Sequence, residues 1–253
     1  MSESEETGIH RDRPSPGRRV GRFVGERGFK RYVDRRITDV ENFDLHVRAH
    51  EDLAELCRTN PVIVASNHLI PSGRVEQNFG FSPDVLVIQS AYKELTGVLL
   101  NVIGKVDDGR VRETRLGRFI QSKDPEFRKG AGESMGANII PLLKNAGSNN
   151  QELFQSVSSL LQRNGSVLIF PQGDWFEDFD PERRTYSGMS FFARRSNAIV
   201  VPTLIKGAHS WEIGQRVDLV FGQPIDSKDK NRTQIDNEWR VRMAELQTQI
   251  PNS

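Results

Sequence analysis

The stretch Pro61-Val62-Ile63-Val64-Ala65-Ser66-Asn67-His68 places four consecutive apolar residues directly before three polar ones. A short, continuous apolar run of this kind predicts a strand that is buried on both faces. The stretch Ser166-Val167-Leu168-Ile169-Phe170 shows a similar run and ends at Pro171. Buried strands separated by helical segments indicate an α/β fold, with a mostly parallel central sheet flanked by helices.

The remainder of the chain continues this alternation. A helical repeat at residues 153–161 ends at Asn164-Gly165, a common helix-terminating pair. Further apolar runs lie at residues 84–88, 139–143, 198–205 and 217–221. Each of them resembles a strand or begins the next unit of the alternating pattern. Residues 223–253 predict a closing amphipathic helix and a tail.

Charge divides the chain unevenly. Between Arg11 and Arg36 there are ten Arg or Lys and three acidic residues, so this segment carries +7, whereas the whole chain carries +1. We predict a disordered tail at residues 1–17, a basic helical arm at 18–39 and a folded domain at 40–253. The arm favours an anionic partner, and its helix could lie on a membrane surface or dock on the domain.

The cysteine count and the hydropathy bear on the compartment. Cys57 is the single cysteine, which excludes an intrachain disulfide and favours a reducing environment. No apolar run approaches the roughly 18 residues needed to cross a bilayer. The acidic residues 1–7 are not followed by the apolar region of a secretory signal. We expect a cytoplasmic protein that meets a membrane from its surface.

Polar clusters follow two of the predicted strands. Asn67-His68 follows the first, and Pro171-Gln172-Gly173-Asp174 follows the strand at 166–170. Ligands of open α/β sheets bind beyond the carboxyl ends of the strands, so both clusters are candidates for one site. Gly173 would let backbone N–H groups approach an anion closely.

His68 is the candidate general base, because imidazole takes up and returns protons near neutral pH. Such a base needs a carboxylate that selects its tautomer. Asp84 is the best candidate, since Ser82-Pro83-Asp84 has the pattern of N-cap, N1 and N2 of a helix. The alternative is that Asp84 only complements the helix dipole and that His68 is an ordinary polar loop residue.

A competing pattern is Gly132-Glu133-Ser134-Met135-Gly136, which matches the G-x-S-x-G of serine hydrolases and is followed by Asp174 and His209. That motif requires a strand before the serine and a helix after it. Here charged residues precede Ser134 and the strand-like Ile139-Ile140 follows it, so the context is reversed. There is no Walker loop and no Cys/His cluster, and we predict no metal site and no bound cofactor.

With these residues in view, the chain resembles the glycerol-phosphate and lysophospholipid acyltransferase superfamily. In that family an Asn-His pair follows the first strand, and a Phe-Pro-Glu-Gly turn follows a later one. The blocks that carry the resemblance are residues 61–68, 135–141, 165–173, 199–202 and 217–225. Five blocks in the family's order, within about residues 40–250, form a fairly specific pattern.

The resemblance implies that His68 removes the proton of an acceptor hydroxyl and that Asp84 orients His68. The donor would be acyl-CoA or an acyl carrier protein, and the acceptor a glycerol-phosphate, a lysophospholipid or a related hydroxyl compound. A membrane surface is the expected partner, and nucleic acid is not. Residues expected at the substrate site are Asn67, which also supports the turn, Gly136, Lys144, Pro171, Gln172, Gly173 and Asp174.

Three departures from the family pattern bear on the acceptor. Fifteen residues separate His68 from Asp84, where the family has four. Gln172 replaces the usual Glu, and Leu142 stands where an Arg is expected, with Lys144 nearby as a substitute. Both usual residues are associated with the acceptor's phosphate. These departures leave open a different hydroxyl acceptor or a chain that has lost activity. The other classes that remain are a hydrolase that uses Ser134, a non-catalytic lipid-binding or scaffolding protein of the same fold, and a nucleic-acid binder that uses the basic arm.

Overall fold

The computed structural model describes residues 43–70, 72, 83–105, 138–142, 151–210 and 214–250. Within these residues seven strands form one sheet. The strands are β1 (Asp44–Ala49), β2 (Val62–Ser66), β3 (Leu100–Lys105), β4 (Asn138–Leu142), β5 (Ser166–Ile169), β6 (Ile199–Lys206) and β7 (Arg216–Phe221). The helices are α1 (Leu53–Thr59), α2 (Pro83–Thr96), α3 (Gln151–Leu161), α4 (Gly188–Ser196) and α5 (Arg232–Gln249).

The sheet has the spatial order β1-β7-β6-β2-β5-β3-β4. Every neighbouring pair is parallel except β6 and β7, which are antiparallel. The prediction of an α/β fold with a mostly parallel sheet is therefore confirmed. Strand β2 lies between β6 and β5, and all five of its residues are buried, which is why its sequence is a continuous apolar run.

Helices cover both faces of the sheet. Strand residues alternate between the two faces, so that Val62 and Val64 of β2 belong to one core and Ile63 and Ala65 to the other. On the first face they pack with α1 and α2, and on the second with α3, α4 and α5. Because helices cover both faces of the sheet, the central strands lack the alternation of apolar and polar residues that is typical of a strand with one side in solvent.

The β-like run at residues 84–88 is not a strand. It lies inside α2, in agreement with the helix start indicated by Ser82-Pro83-Asp84. Asp84, Val87, Ile88 and Ala91 are buried, at the spacing of one helix face. In a short window, a helix packed against a sheet is as apolar as a buried strand, so periodicity over five residues could not separate the two.

The closing helix is confirmed as α5. It begins with a capping box, in which the Asn231 side chain accepts from the Gln234 backbone N–H and the Gln234 side chain accepts from the Asn231 N–H. In the middle of α5, the Trp239 indole donates to the backbone carbonyl of Ala65 at 3.0 Å. This helix therefore supports β2 directly, three residues before His68.

The predicted tail at 1–17 and basic arm at 18–39 lie outside the described residues. In the part of the chain that the structure does describe, no helix combines the length and the hydropathy needed to cross a bilayer.

Candidate active site

His68 lies just beyond the carboxyl end of β2, next to the end of β5. The register pairs Ala65 with Ile169, so the residues that follow these strands emerge side by side. The Phe170 ring stacks on the imidazole, with centroids 4.0 Å apart and an interplanar angle of 17°. The His68 side chain remains 17% exposed. The ring is therefore held from one face while part of it can still be reached from outside.

Asp84 supplies the carboxylate that His68 was predicted to need. Its Oδ2 lies 2.8 Å from Nδ1 of His68 and also accepts the backbone N–H of Leu69 at 2.7 Å. Its Oδ1 accepts the N–H of Val85 at 2.6 Å, and the side chain is fully buried. At the second position of α2, the carboxylate also lies at the positive end of the helix dipole. The expected contact is present, while the catalytic role of the pair stays a prediction.

The second ring nitrogen of His68 has a partner of its own. The indole N–H of Trp175 donates to Nε2. An indole can only donate, so Nε2 must be the unprotonated nitrogen, and the ring proton is on Nδ1, where it donates to Asp84. The lone pair of Nε2 therefore points away from the carboxylate. This is the tautomer that a general base requires.

Asn67 supports the turn that presents His68. Its side-chain amide donates to the carbonyl of Ile205 at 2.9 Å, and its side-chain oxygen accepts the N–H of Ile205 at 3.0 Å. The side chain is 2% exposed. Both ends of the amide are thus occupied by β6, which places Asn67 in the supporting role and leaves a direct substrate contact as an untested expectation.

The Pro171–Asp174 cluster forms the turn after β5, beside His68. Pro171 is buried, and its carbonyl accepts the N–H of Tyr186 at 2.7 Å. Gly173 has a φ of +71°, and a Cβ there would lie 2.6 Å from the Tyr186 ring, so this position requires glycine on both counts. The exposed Asp174 accepts the N–H of Trp175 at 3.0 Å. The turn therefore fixes the backbone N–H groups of Tyr186 and Trp175 by hydrogen bonds.

Gln172 is 4% exposed, and its side-chain amide donates to the backbone carbonyl of Asp180 at 2.7 Å. Its Oε1 is buried without a hydrogen-bond partner among the described residues. A glutamate here would place a carboxylate oxygen against the Asp180 carbonyl, so glutamine suits this loop. Because both polar atoms of the side chain lie inside the loop, Gln172 contributes to the structure of this turn.

The remaining site predictions divide into two groups. Gly136, Lys144 and Ser134 lie outside the described residues. Of the proposed hydrolase partners that are described, Asp174 bonds within its own turn, whereas His209 contacts the carbonyl of Ile70 at 3.0 Å through Nδ1. Strand β4 begins at Asn138, where a nucleophile elbow needs a helix. The described residues thus do not assemble the Ser134 alternative.

Sequence reasoning missed Trp175 and the contacts around it. Phe176 forms a parallel bridge with Leu69, in which its N–H donates to the His68 carbonyl at 2.9 Å and its carbonyl accepts the Ile70 N–H at 2.8 Å. The bridge extends the β2–β5 pairing past the ends of both strands. An available signal was that Trp175 follows the second polar cluster directly, at the sheet edge where His68 was expected.

Comparisons with known proteins give little beyond this geometry. No protein-family model matches the chain, and no curated protein matches it. Among solved structures, the chain is similar to the 1-acyl-sn-glycerophosphate acyltransferase PlsC from Thermotoga maritima. The likeness has a TM-score of 0.47 and 13% sequence identity, and covers 93% of this chain and 97% of that one. The name states the activity of the Thermotoga maritima protein, and the chemistry of this chain has to be derived from its own residues.

Proposed function

We propose that this protein is an acyltransferase in which Nε2 of His68 removes the proton of an acceptor hydroxyl while that oxygen attacks an acyl thioester. The observation that carries the proposal is the hydrogen bond of 2.8 Å between His68 Nδ1 and the buried Asp84 Oδ2. It is joined by the resemblance of five sequence blocks, in order, to glycerolipid acyltransferases.

The reaction needs only groups that the site and its two substrates supply. The acceptor oxygen bonds to the thioester carbonyl carbon as its proton passes to Nε2 of His68. Asp84 stabilises the imidazolium through Nδ1. When the carbon–sulfur bond breaks, the leaving thiolate takes the proton back from Nε2. The products are an ester and a free thiol, and His68 returns to its starting form.

Direct attack by the substrate hydroxyl fits the contacts of His68 better than a covalent enzyme intermediate. Within the described ranges, no Ser, Thr or Cys side chain bonds to the His68 ring, whose partners are Asp84, Trp175 and Phe170. A nucleophilic mechanism needs such a hydroxyl or thiol within hydrogen-bond reach of the base. The base is thus arranged to act on a group that arrives with the substrate.

The acceptor is expected to be a hydroxyl compound that need not carry a phosphate. Gln172 is neutral where the family has Glu, and Leu142 stands where the family has an Arg, so the residues that the family associates with the acceptor's phosphate are both absent from these positions. The donor, by the sequence resemblance, is acyl-CoA or an acyl carrier protein. The fatty acyl chain and a peripheral membrane location belong to the same proposal.

The test is transfer of a radiolabelled acyl group from acyl-CoA to a panel of lysolipids, glycerol-phosphate and simple alcohols. We expect His68→Ala and Asp84→Asn to lower the transfer rate by about 10²–10⁴-fold, the usual contribution of a general base. The matched control is His46→Ala, since His46 is exposed on β1 and pairs with Asp44. It should leave transfer unchanged.

The alternatives predict other outcomes. Transfer that survives His68→Ala would remove the mechanism. Equal liposome binding by wild type and His68→Ala, with no transfer in either, would indicate a lipid-binding protein. Labelling of Ser134 by a fluorophosphonate probe would favour the hydrolase.

A further inference from the structure

The lone pair that the proposed base needs is occupied in this structure. The Trp175 indole N–H donates to Nε2 of His68, and the two rings meet edge to face at 71° with centroids 5.8 Å apart. An acceptor hydroxyl would have to donate to the same lone pair before transferring its proton. The indole N–H therefore stands where the acceptor O–H must come.

The backbone around Trp175 is held in place by its neighbour. The N–H and the carbonyl of Phe176 are bonded to the segment His68–Ile70 at 2.9 and 2.8 Å. Moving the backbone of Trp175 away from His68 would break these bonds. The Trp175 side chain, in contrast, is only partly buried. A movement that uncovers Nε2 while these backbone bonds stay in place would therefore be one of the Trp175 side chain.

We propose that Trp175 is a side-chain gate on His68, closed in the resting protein and displaced by the acceptor hydroxyl. This inference rests on the proposed function for its consequence, but the contact itself can be tested without any substrate. While the gate is closed, water cannot donate to Nε2. A thioester bound before the acceptor arrives is then protected from hydrolysis to a carboxylic acid and a thiol.

The first experiment measures access to Nε2 with diethyl pyrocarbonate, which modifies an imidazole nitrogen that has a free lone pair. Peptide mass spectrometry separates His68 from the other four histidines. Trp175→Phe keeps an aromatic ring but has no N–H, and we expect His68 to react about tenfold faster, as for the loss of one hydrogen bond. His46 is the internal control, because it is exposed on β1 and pairs with Asp44, and its rate should be the same in both proteins.

Trp175→Ala keeps this experiment decisive. Unchanged His68 reactivity in both Trp175→Phe and Trp175→Ala overturns the gate. If His68 reacts faster in Trp175→Ala but not in Trp175→Phe, the Trp175 side chain shields His68 by its size alone, and the hydrogen-bonded gate is overturned.

The second experiment measures the consequence in the intact enzyme. Without acceptor, Trp175→Phe should hydrolyse acyl-CoA about tenfold faster than wild type, and adding His68→Ala should abolish the gain. With acceptor, its KM should fall while kcat changes little, because the hydroxyl no longer competes with the indole. Hydrolysis equal to wild type overturns the gating role. If wild type transfers no acyl group at all, the proposed function fails, whereas the reactivity of His68 still decides whether Trp175 covers it.

Discussion

Asn67 and Ile205 exchange two hydrogen bonds, at 2.9 and 3.0 Å, although they lie 138 positions apart in the chain. The side chain of Asn67 thereby continues the backbone pairing of β2 with β6 for one more step. His68, the next residue, leaves the sheet at a position that this pairing determines.

Replacing Asn67 therefore tests the link between this turn and the site. Asn67→Ala leaves the N–H and the carbonyl of Ile205 without their side-chain partners in a buried setting. We expect the free energy of unfolding to fall by roughly 2–6 kcal/mol, from two groups at about 1–3 kcal/mol each. Urea denaturation measures this loss. The control, Asn237→Ala on the exposed side of α5, should be neutral or slightly stabilising. Equal stability of Asn67→Ala and wild type would contradict the role given to this pair.

Gln172→Glu restores the residue usual in the family that the sequence resembles, yet we expect it to be harmful here. It loses the donor to the Asp180 carbonyl and places a charge in a site that is 4% exposed. A loss of about 1–3 kcal/mol is expected, measured by urea denaturation at neutral pH. Gln162→Glu, an exposed position just after α3, is the matched control. A stable and more active Gln172→Glu would show that Gln172 is not required by the loop.

Asp236 makes stability depend on pH. Burial raises the pKa of this carboxyl, although Ser190, Arg240 and Arg232 lower it. Its Oδ1 is buried without a hydrogen-bond partner among the described residues. The unfolded chain therefore releases this proton first as pH rises above about 3.8, the ordinary value. Between this pH and the raised pKa, Asp236 is ionised in the unfolded chain but protonated in the folded one, so the free energy of unfolding falls as the pH rises. Above the raised pKa it stays at this lower level.

Asp236→Asn cannot ionise, and we expect it to be more stable than wild type at neutral pH. The difference in stability between Asp236→Asn and wild type should shrink as the pH falls, because Asp236 of the wild type then becomes protonated. Thermal unfolding at several pH values measures it. Glu245→Gln, an exposed position on the same helix, removes one negative charge as well and should show no such convergence. A constant difference between Asp236→Asn and wild type at all pH values would contradict this account.

Cys57 is expected to be unreactive in the folded protein. Its side chain is 1% exposed, and burial raises the pKa of the thiol, although the Tyr92 hydroxyl that donates to it at 2.9 Å lowers it. The thiolate is the reactive form, so both exposure and ionisation oppose modification. Reaction with a disulfide reagent should be slower than in urea by roughly a thousandfold or more, as for a site that opens mainly on unfolding.

Because Cys57 is the single cysteine, the measured thiol signal has one source. Adding an exposed thiol with Ser156→Cys on α3 should give one fast and one slow phase. Rapid labelling of Cys57 in the native protein would mean that α1 opens far more readily than its packing indicates.

Local sequence was sufficient for most of the central sheet. Strands β2 and β5 were predicted because burial on both faces leaves a continuous apolar run. Strands β4, β6 and β7 correspond to the further apolar segments at residues 139–143, 198–205 and 217–221. Strand β1 was missed because it lies at the edge of the sheet. Asp44, His46 and Arg48 of this strand are exposed, so its sequence has no continuous apolar run. An edge strand is defined by its pairing with β7, which its own residues do not reveal.

The sequence by itself determined the α/β class, the polar clusters at the ends of β2 and β5, and the identity of the candidate base. These follow from residue type and periodicity, which act over a few residues. Only the tertiary structure decided that Asp84 reaches His68 across fifteen intervening residues, that Gln172 bonds to Asp180, and that Trp175 covers Nε2. Hydrogen bonds depend on distances of about 3 Å between atoms, and such distances are set by the packing of helices and strands that are remote along the chain.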